Sequence, residues 1–268
     1  MTIEPMSFAQ ASAIAPIDEL HYAWDVPDGW QQGRGAFGGL VLGALVRAAE
    51  GSEPDRGRRA RVITGELCGP AQPGSTTIAV AHLRRGSGVT YADVRAQQGA
   101  EVVAHASVLL AADRKADGPA VTRAAPVLPP WSELPIIAPP APPGPRFTRH
   151  VAYRPTGPLP FSNMPAAVAT GYVAMAIPLA ALDAAAIVGL LDAWWPAVLA
   201  TMPAPRPMAT VSFTAELLVD PATVDPTVPL AYTARVDGGG GGYYVELREL
   251  WQHDRLIALN QQTFALIA

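Results

Sequence analysis

The spacing of apolar and polar positions divides the chain into two similar series of elements. Gly38 to Glu50 is apolar almost all round, which predicts a buried helix rather than a surface one. Strand-like segments follow at 60–68, 76–84, 89–97 and 101–111. The second series has Asp183 as a plausible N-cap for a helix from Ala184 to about Ala200, then strand-like segments at 208–219, 228–236, 243–251 and 255–267. Each series also needs a strand before its helix, and Tyr22 to Val26 and Gly171 to Ile177 are the candidates. Between the series, prolines recur from Pro119 to Pro145, so residues 118–147 read as an extended, semi-rigid connector. This predicts an N-terminal unit over 1–117 and a C-terminal unit over 148–268.

The two units look like copies of one another. The closest internal match sets Tyr91-Ala92-Asp93-Val94-Arg95 beside Tyr244-Val245-Glu246-Leu247-Arg248, each followed by a turn and an apolar closing strand. The fold class implied is α+β. Two antiparallel half-sheets, each curled around one apolar helix, join edge to edge into a continuous sheet that hides their free edges. Gly238 to Gly242 lies between two strand patterns and reads as a hairpin loop, because a phosphate-binding loop would need a helix after it.

Composition narrows the function classes. Half of the residues are apolar and 16% are charged, with a formal net charge of -4, so the chain has ample material for a core and is not a disordered segment. No long basic tract is present, which argues against a nucleic-acid partner. Cys68, the single cysteine, excludes an intrachain disulfide and a Cys-rich zinc site, and a cytoplasmic location is the expectation. Met1 to Leu20 lacks the basic start and apolar run of a signal peptide. Ala166 to Met202 is apolar enough to suggest a membrane segment, but Gly171, Pro178, Gly189 and Pro196 interrupt it; a strand and a buried core helix are expected there, with no membrane span.

Three polar residues of the second unit carry candidate chemistry. Asp192 lies in Val188-Gly189-Leu190-Leu191-Asp192-Ala193-Trp194-Trp195-Pro196 with no basic partner at helical spacing. It is either wet at the surface or buried with its pKa raised toward the range of a general base. Gln262 and Asn260 interrupt the apolar face of the last strand, as buried amides satisfied by backbone or as site residues. Thr210 alternates with Val211 and Phe213, which by strict period two places it beside Ser212 and Thr214 on a wet face. On the repeat alignment Asp192, Thr210 and Gln262 fall opposite Gly39, Ala60 and Val108, suggesting one active and one degenerate copy.

These residues resemble the type II acyl-CoA thioesterase family, whose fold is a double hotdog. Phe37-Gly38-Gly39 with Leu40 to Leu45 is similar to its Phe-Gly-Gly helix entry, and Arg84-Arg85-Gly86 through Val94-Arg95-Ala96-Gln97 to its Arg-x-Gly hairpin and following strand. Leu191-Asp192 with Pro196 to Leu199 resembles the helix bearing the family's catalytic Asp, Ala209-Thr210-Val211 its catalytic Thr strand, and Leu256-Ile257-Ala258 to Gln262 its closing strand. Two departures concern substrate identity: Gly65-Glu66-Leu67 stands where the family has Ser-Leu-His, and Ser212 where an Asp often follows the Thr. The resemblance implies hydrolysis of an acyl-CoA thioester by water, with Asp192 as general base and Thr210 and Gln262 orienting the water. Backbone N–H groups of Gly38 and Gly39 would meet the oxyanion. It implies no metal or redox cofactor, and homo-oligomers formed by pairing double hotdogs. Arg56, Arg58, Arg59 and Arg61 read as contacts for the CoA phosphates or as a solvated loop. Competing readings are a non-catalytic acyl-CoA binding protein and a hotdog hydratase or dehydratase, which would need one of His21, His82, His105, His150 or His253 beside an acid.

Overall fold

Phe8 and Ala11 turn inward from a one-turn helix, α1 (Phe8–Ala11), whose start is closed by a reciprocal Ser7 and Gln10 capping box. The chain then forms β1 (Ala15–Pro16) and β2 (His21–Val26), and a small ladder of β3 (Gln31–Gln32) with β4 (Gly35–Ala36) that leads into α2 (Gly38–Ser52). Four strands follow: β5 (Arg59–Glu66), β6 (Gly74–Arg85), β7 (Val89–Gln98) and β8 (Glu101–Ala111). The second series comprises β9 (Val151–Pro155), β10 (Val168–Met175), α3 (Ala184–Ala193), β11 (Met208–Leu217), β12 (Leu230–Gly240), β13 (Tyr243–Gln252) and β14 (Arg255–Leu266). The structure, a computed structural model, describes residues 6–114, 121, 123–137 and 144–267.

Twelve strands form one antiparallel sheet in the order β1-β2-β6-β7-β8-β5-β11-β14-β13-β12-β10-β9. The fold is α+β, as expected. The halves meet where β5 pairs with β11, and Thr64 stands opposite Thr214 at a local pseudo-twofold, their hydroxyls 3.4 Å apart. α2 and α3 lie antiparallel on the inner face; Gly43 of α2 lies so close to α3 that a Cβ there would sit 3.3 Å from the Ala185 carbonyl oxygen.

The duplication extends to irregularities. Register breaks at Ala60/Val62, His82/Arg84 and Ala96/Gln97 recur at Thr210/Ser212, Val236/Gly238 and Leu250/Trp251. The ladders fix the true equivalences. Ala92 pairs with Val108 as Glu246 pairs with Gln262, and Val94 pairs with Ala106 as Arg248 pairs with Asn260. The alignment of Tyr91 with Tyr244 is therefore one residue out of step: Glu246 and Arg248 correspond to Ala92 and Val94, not to Asp93 and Arg95. A one-residue slip moves every side chain to the other face of a sheet, so the correction changes which charges lie inside.

Two further expectations, the end of α3 and the glycine run, are revised. α3 stops at Ala193 instead of near Ala200, because Pro196 has no N–H and pushes the preceding residues toward extended backbone; Trp194 is already extended, and a separate 3-10 turn covers Ala197–Thr201. By length and composition Ala184–Thr201 could cross a membrane, with mean hydropathy 1.5, yet 78% of the stretch is buried inside the protein. The glycine run is mostly strand: Gly240 pairs with Tyr243, so only Gly241 and Gly242, both at positive φ, make the two-residue turn.

Of the proline-rich segment, Pro119, Pro139, Pro140, Pro142 and Pro143 lie outside the described residues. The described parts are packed rather than simply extended. Tyr172 donates its hydroxyl to the Pro129 carbonyl at 3.0 Å, and Ile137 bridges to Tyr153. A 3-10 turn over Arg146–His150 buries Phe147 against Phe37, ring centroids 4.1 Å apart, while His150 stacks on Trp30 at 4.0 Å.

Candidate active site

The last turn of α3 carries Asp192 into the interior, where it is 7% exposed. No side chain on its own helix partners it; its contacts come from the sheet and from the other helix. Gln262, on the inner face of β14, donates through Nε2 to Asp192 Oδ1 at 2.7 Å and to Thr210 Oγ1 at 2.6 Å. That geometry fixes the amide orientation, since reversing it would set Oε1 against a carboxylate oxygen. Both amide hydrogens are thereby used, and Gln262 Oε1 is buried with no hydrogen-bond partner among the described residues. Thr210 accepts from Gln262 and keeps its own O–H to donate.

The bulge at Thr210/Ser212 is what brings Thr210 here. Strict alternation would place it on the face opposite Phe213, which is fully buried. The extra residue turns Val211 outward, 37% exposed, and rotates Thr210 toward Gln262. The three candidates thus meet at one point, and the wet-face expectation for Thr210 is corrected.

The N-terminus of α2 completes the cluster. Its N-cap, Phe37, has no side chain able to close the exposed N–H groups. The Gly39 N–H faces the Asp192 carboxylate instead and helps hold its pKa down. Glycine is required for this approach, since a Cβ on Gly38 would lie 2.9 Å from Asp192 Oδ2 and one on Gly39 would lie 3.0 Å from the Asp192 Cβ. Gly39 therefore contacts Asp192 directly across the helix pair rather than being its counterpart in the repeat.

A buried ion pair on β13, absent from the expectations drawn from sequence, lies behind Asp192. Arg248 is fully buried, with Nη1 3.9 Å from Asp192 Oδ1 and Nε donating to Glu246 Oε1 at 2.9 Å. Burial pushes the Asp192 pKa up from the usual value of 3.8, while Arg248, Gln262 and the Gly39 N–H pull it back. Glu246 is also pushed up by burial, against the pull of Arg248. The sequence signal was a Glu-x-Arg on a strand face, hidden by the one-residue offset in the repeat.

Other candidates lie elsewhere. His105 is held between Glu66 and Asp93 at 2.8 Å each, so one of the five histidines does stand beside acids. Its strand neighbours Ala104 and Ala106 are buried on the inner face, which puts His105 on the outer face, away from Asp192. The arginine cluster is largely tied down: Arg58 holds Asp55, Thr90 and the Gly86 and Ser87 carbonyls, and Arg59 and Arg61 hold Asp113. Among the aromatic residues near these elements, Trp194, Phe213 and Phe264 are buried, and Trp195 is partly so. Among the described residues no group of His, Cys, Asp and Glu side chains is arranged to hold a metal ion.

The sequence profile of the acyl-CoA thioesterase N-terminal domain matches residues 26–111, and that of the C-terminal domain matches residues 124–266. The chain belongs to the acyl-CoA thioesterase family. Solved structures share its double hotdog. A conserved hotdog protein of unknown function from Alicyclobacillus acidocaldarius is 25% identical, with TM-score 0.89 over 98% of this chain and 99% of that one. An acyl-CoA thioesterase II from Mycobacterium marinum is 18% identical, with TM-score 0.78 over 97% and 98%. A tesB protein from Mycobacterium avium subs paratuberculosis is 12% identical, with TM-score 0.80 over 97% and 98%. At the lower identities the likeness carries the fold alone. No curated protein sequence matches the chain.

Proposed function

We propose that this acyl-CoA thioesterase family member hydrolyses an acyl-CoA to the free acid and CoA, using Asp192 as general base. The observation that supports it most is one buried carboxylate joined to Thr210 and Gln262 through a single amide nitrogen. In this reading the attacking water gives one proton to Asp192, gives its other hydrogen to Gln262 Oε1 as a hydrogen bond, and accepts one from the Thr210 hydroxyl. Its remaining lone pair then faces the thioester carbonyl carbon. The developing oxyanion is met by the Gly38 N–H, which as the first residue of α2 has no acceptor inside the helix. Collapse of the tetrahedral intermediate breaks the C–S bond, and the proton held by Asp192 passes to the departing CoA sulfur. Water and thioester become acid and thiol, with no cofactor in the balance.

The pKa of the base follows from its setting. Burial raises it, so Asp192 is ionised, and able to accept a proton, only above a limit shifted upward from 3.8. The test is thiol release from a panel of acyl-CoA thioesters of increasing chain length, for wild type beside Asp192→Asn. The reading expects turnover on part of the panel and a loss of about a hundredfold or more in the variant. Tight binding with no turnover on any member would replace it with an acyl-CoA binding protein.

A further inference from the structure

Resting on that reading, we infer that Glu246 and Arg248 are a positioning pair for the base: they clamp the chain on both sides of Asp192 and keep a positive charge beside its carboxylate. Arg248 Nη1 donates to the Leu191 carbonyl at 2.9 Å, one residue before Asp192. Glu246 Oε2 accepts the Ala197 N–H at 2.7 Å, just beyond the break at Trp194, Trp195 and Pro196. Arg248 Nε to Glu246 Oε1 closes the clamp, and the guanidinium lies over the Phe264 ring, 5.0 Å from its centroid. Tyr153 adds a second tie, donating its hydroxyl to the Ala193 carbonyl at 2.7 Å. A helix end with no proper C-cap is thus fixed by side chains from two strands.

The first half is an internal control. At the places equivalent to Glu246 and Arg248 it has Ala92 and Val94, both fully buried and both uncharged. The sheet therefore needs no ions there. Burying two charges costs several kcal/mol in desolvation, and a packed apolar pair is often the more stable choice. The ion pair is present only in the half that carries Asp192, which points to the base and not to stability as its reason.

The groups facing Asp192 are few. Arg248 comes from β13 with Glu246 behind it, the Gln262 amide from β14, and the Gly39 N–H from α2. Tyr153 of β9 and Tyr232 of β12 are held neutral by burial, their pKa values pushed up. Arg248 is the only full positive charge among these groups.

The test follows the Asp192 carboxyl by 13C NMR titration in wild type, Arg248→Met and Arg248→Lys, alongside thiol release. Removing the charge should raise the Asp192 midpoint by about one unit or more, a tenfold loss of ionised base at any pH below it. The lysine variant should hold the midpoint near wild type while lowering kcat, because it cannot span Leu191 and Glu246 together. If Arg248→Met does not fold with Glu246 left charged, Glu246→Gln with Arg248→Met supplies the same titration. An unchanged midpoint in the folded charge-free variant overturns the pairing. The titration needs no turnover, so a wild type that titrates as described yet releases no thiol overturns the thioesterase reading and not the electrostatics.

Discussion

At one end of the antiparallel helix pair a carboxylate meets an open helix N-terminus; at the other, a guanidinium meets a closed one. Asp192 of α3 lies against Gly39 at the uncapped start of α2, whose N–H lowers its pKa. At the opposite end of the pair, Arg47 of α2 binds Asp183 at 2.8 Å, and Asp183 already caps α3 by accepting the Ala186 N–H at 2.8 Å. The strands repeat the contrast. Thr210, Gln262, Glu246 and Arg248 stand where the first half has Ala60, Val108, Ala92 and Val94. Both halves share the bulge that turns residue 60 or 210 inward, so the backbone for a site exists twice. In the proposed reading chemistry depends on the side chains, and only the second half has this polar set. What differs is which half accepts the cost of buried polar groups.

The largest way to break this comparison is to give the second half the side chains of the first. Gln262→Val with Thr210→Ala removes both groups proposed to orient the water, and thiol release should fall by about a hundredfold or more with CoA affinity retained. Retained turnover would mean the water is held elsewhere. A smaller effect is expected at the helix contact. Gly39→Ala places a Cβ 2.5 Å from the Phe37 ring and 3.0 Å from the Asp192 Cβ, which should cost about 1–3 kcal/mol in chemical denaturation and lower kcat more than it raises KM. The reverse graft, Val108→Gln, buries an amide with no Asp partner, because Val46 stands as far from the N-cap of α2 as Asp192 does from that of α3. It should destabilise by about 1–3 kcal/mol and add no activity. Smallest of all, His105→Gln on the outer face should leave thiol release unchanged, whereas hydratase or dehydratase chemistry through that histidine would be abolished.

Much of this was legible in the sequence, and the failures have physical causes. The two apolar helices, the alternating strands and the duplicated series follow from hydrophobic period alone, and they were enough to set the fold. Asp192 and Gln262 stood out because each is a polar side chain in an apolar setting. Thr210 was harder: period two assumes an unbroken pleat, and the bulge that reverses its face leaves no mark in composition. Glu246 and Arg248 were lost to a one-residue offset between halves, which tyrosines at 91 and 244 favoured and the hydrogen-bond ladder corrected. The end of α3 could have been placed from Pro196. The packing of Phe147 and His150 could not, since their partners Phe37 and Trp30 lie more than a hundred residues earlier.

The central claim is that one buried carboxylate, raised in pKa by its burial, does the chemistry of the whole chain. Its stability consequence has a definite sign. Between 3.8 and the raised value the native state binds the extra proton, so Asp192 weakens the fold as pH rises through that window, and Asp192→Asn should be the more heat-stable protein at neutral pH. The most direct measurement is the pH dependence of kcat/KM for wild type beside Asp192→Asn on one turned-over acyl-CoA. The account predicts an acid limb in wild type lying above the ordinary carboxylate range, and residual activity in the variant without that limb. A limb that persists unchanged in Asp192→Asn would contradict it, since the ionisation controlling turnover would then belong to another group.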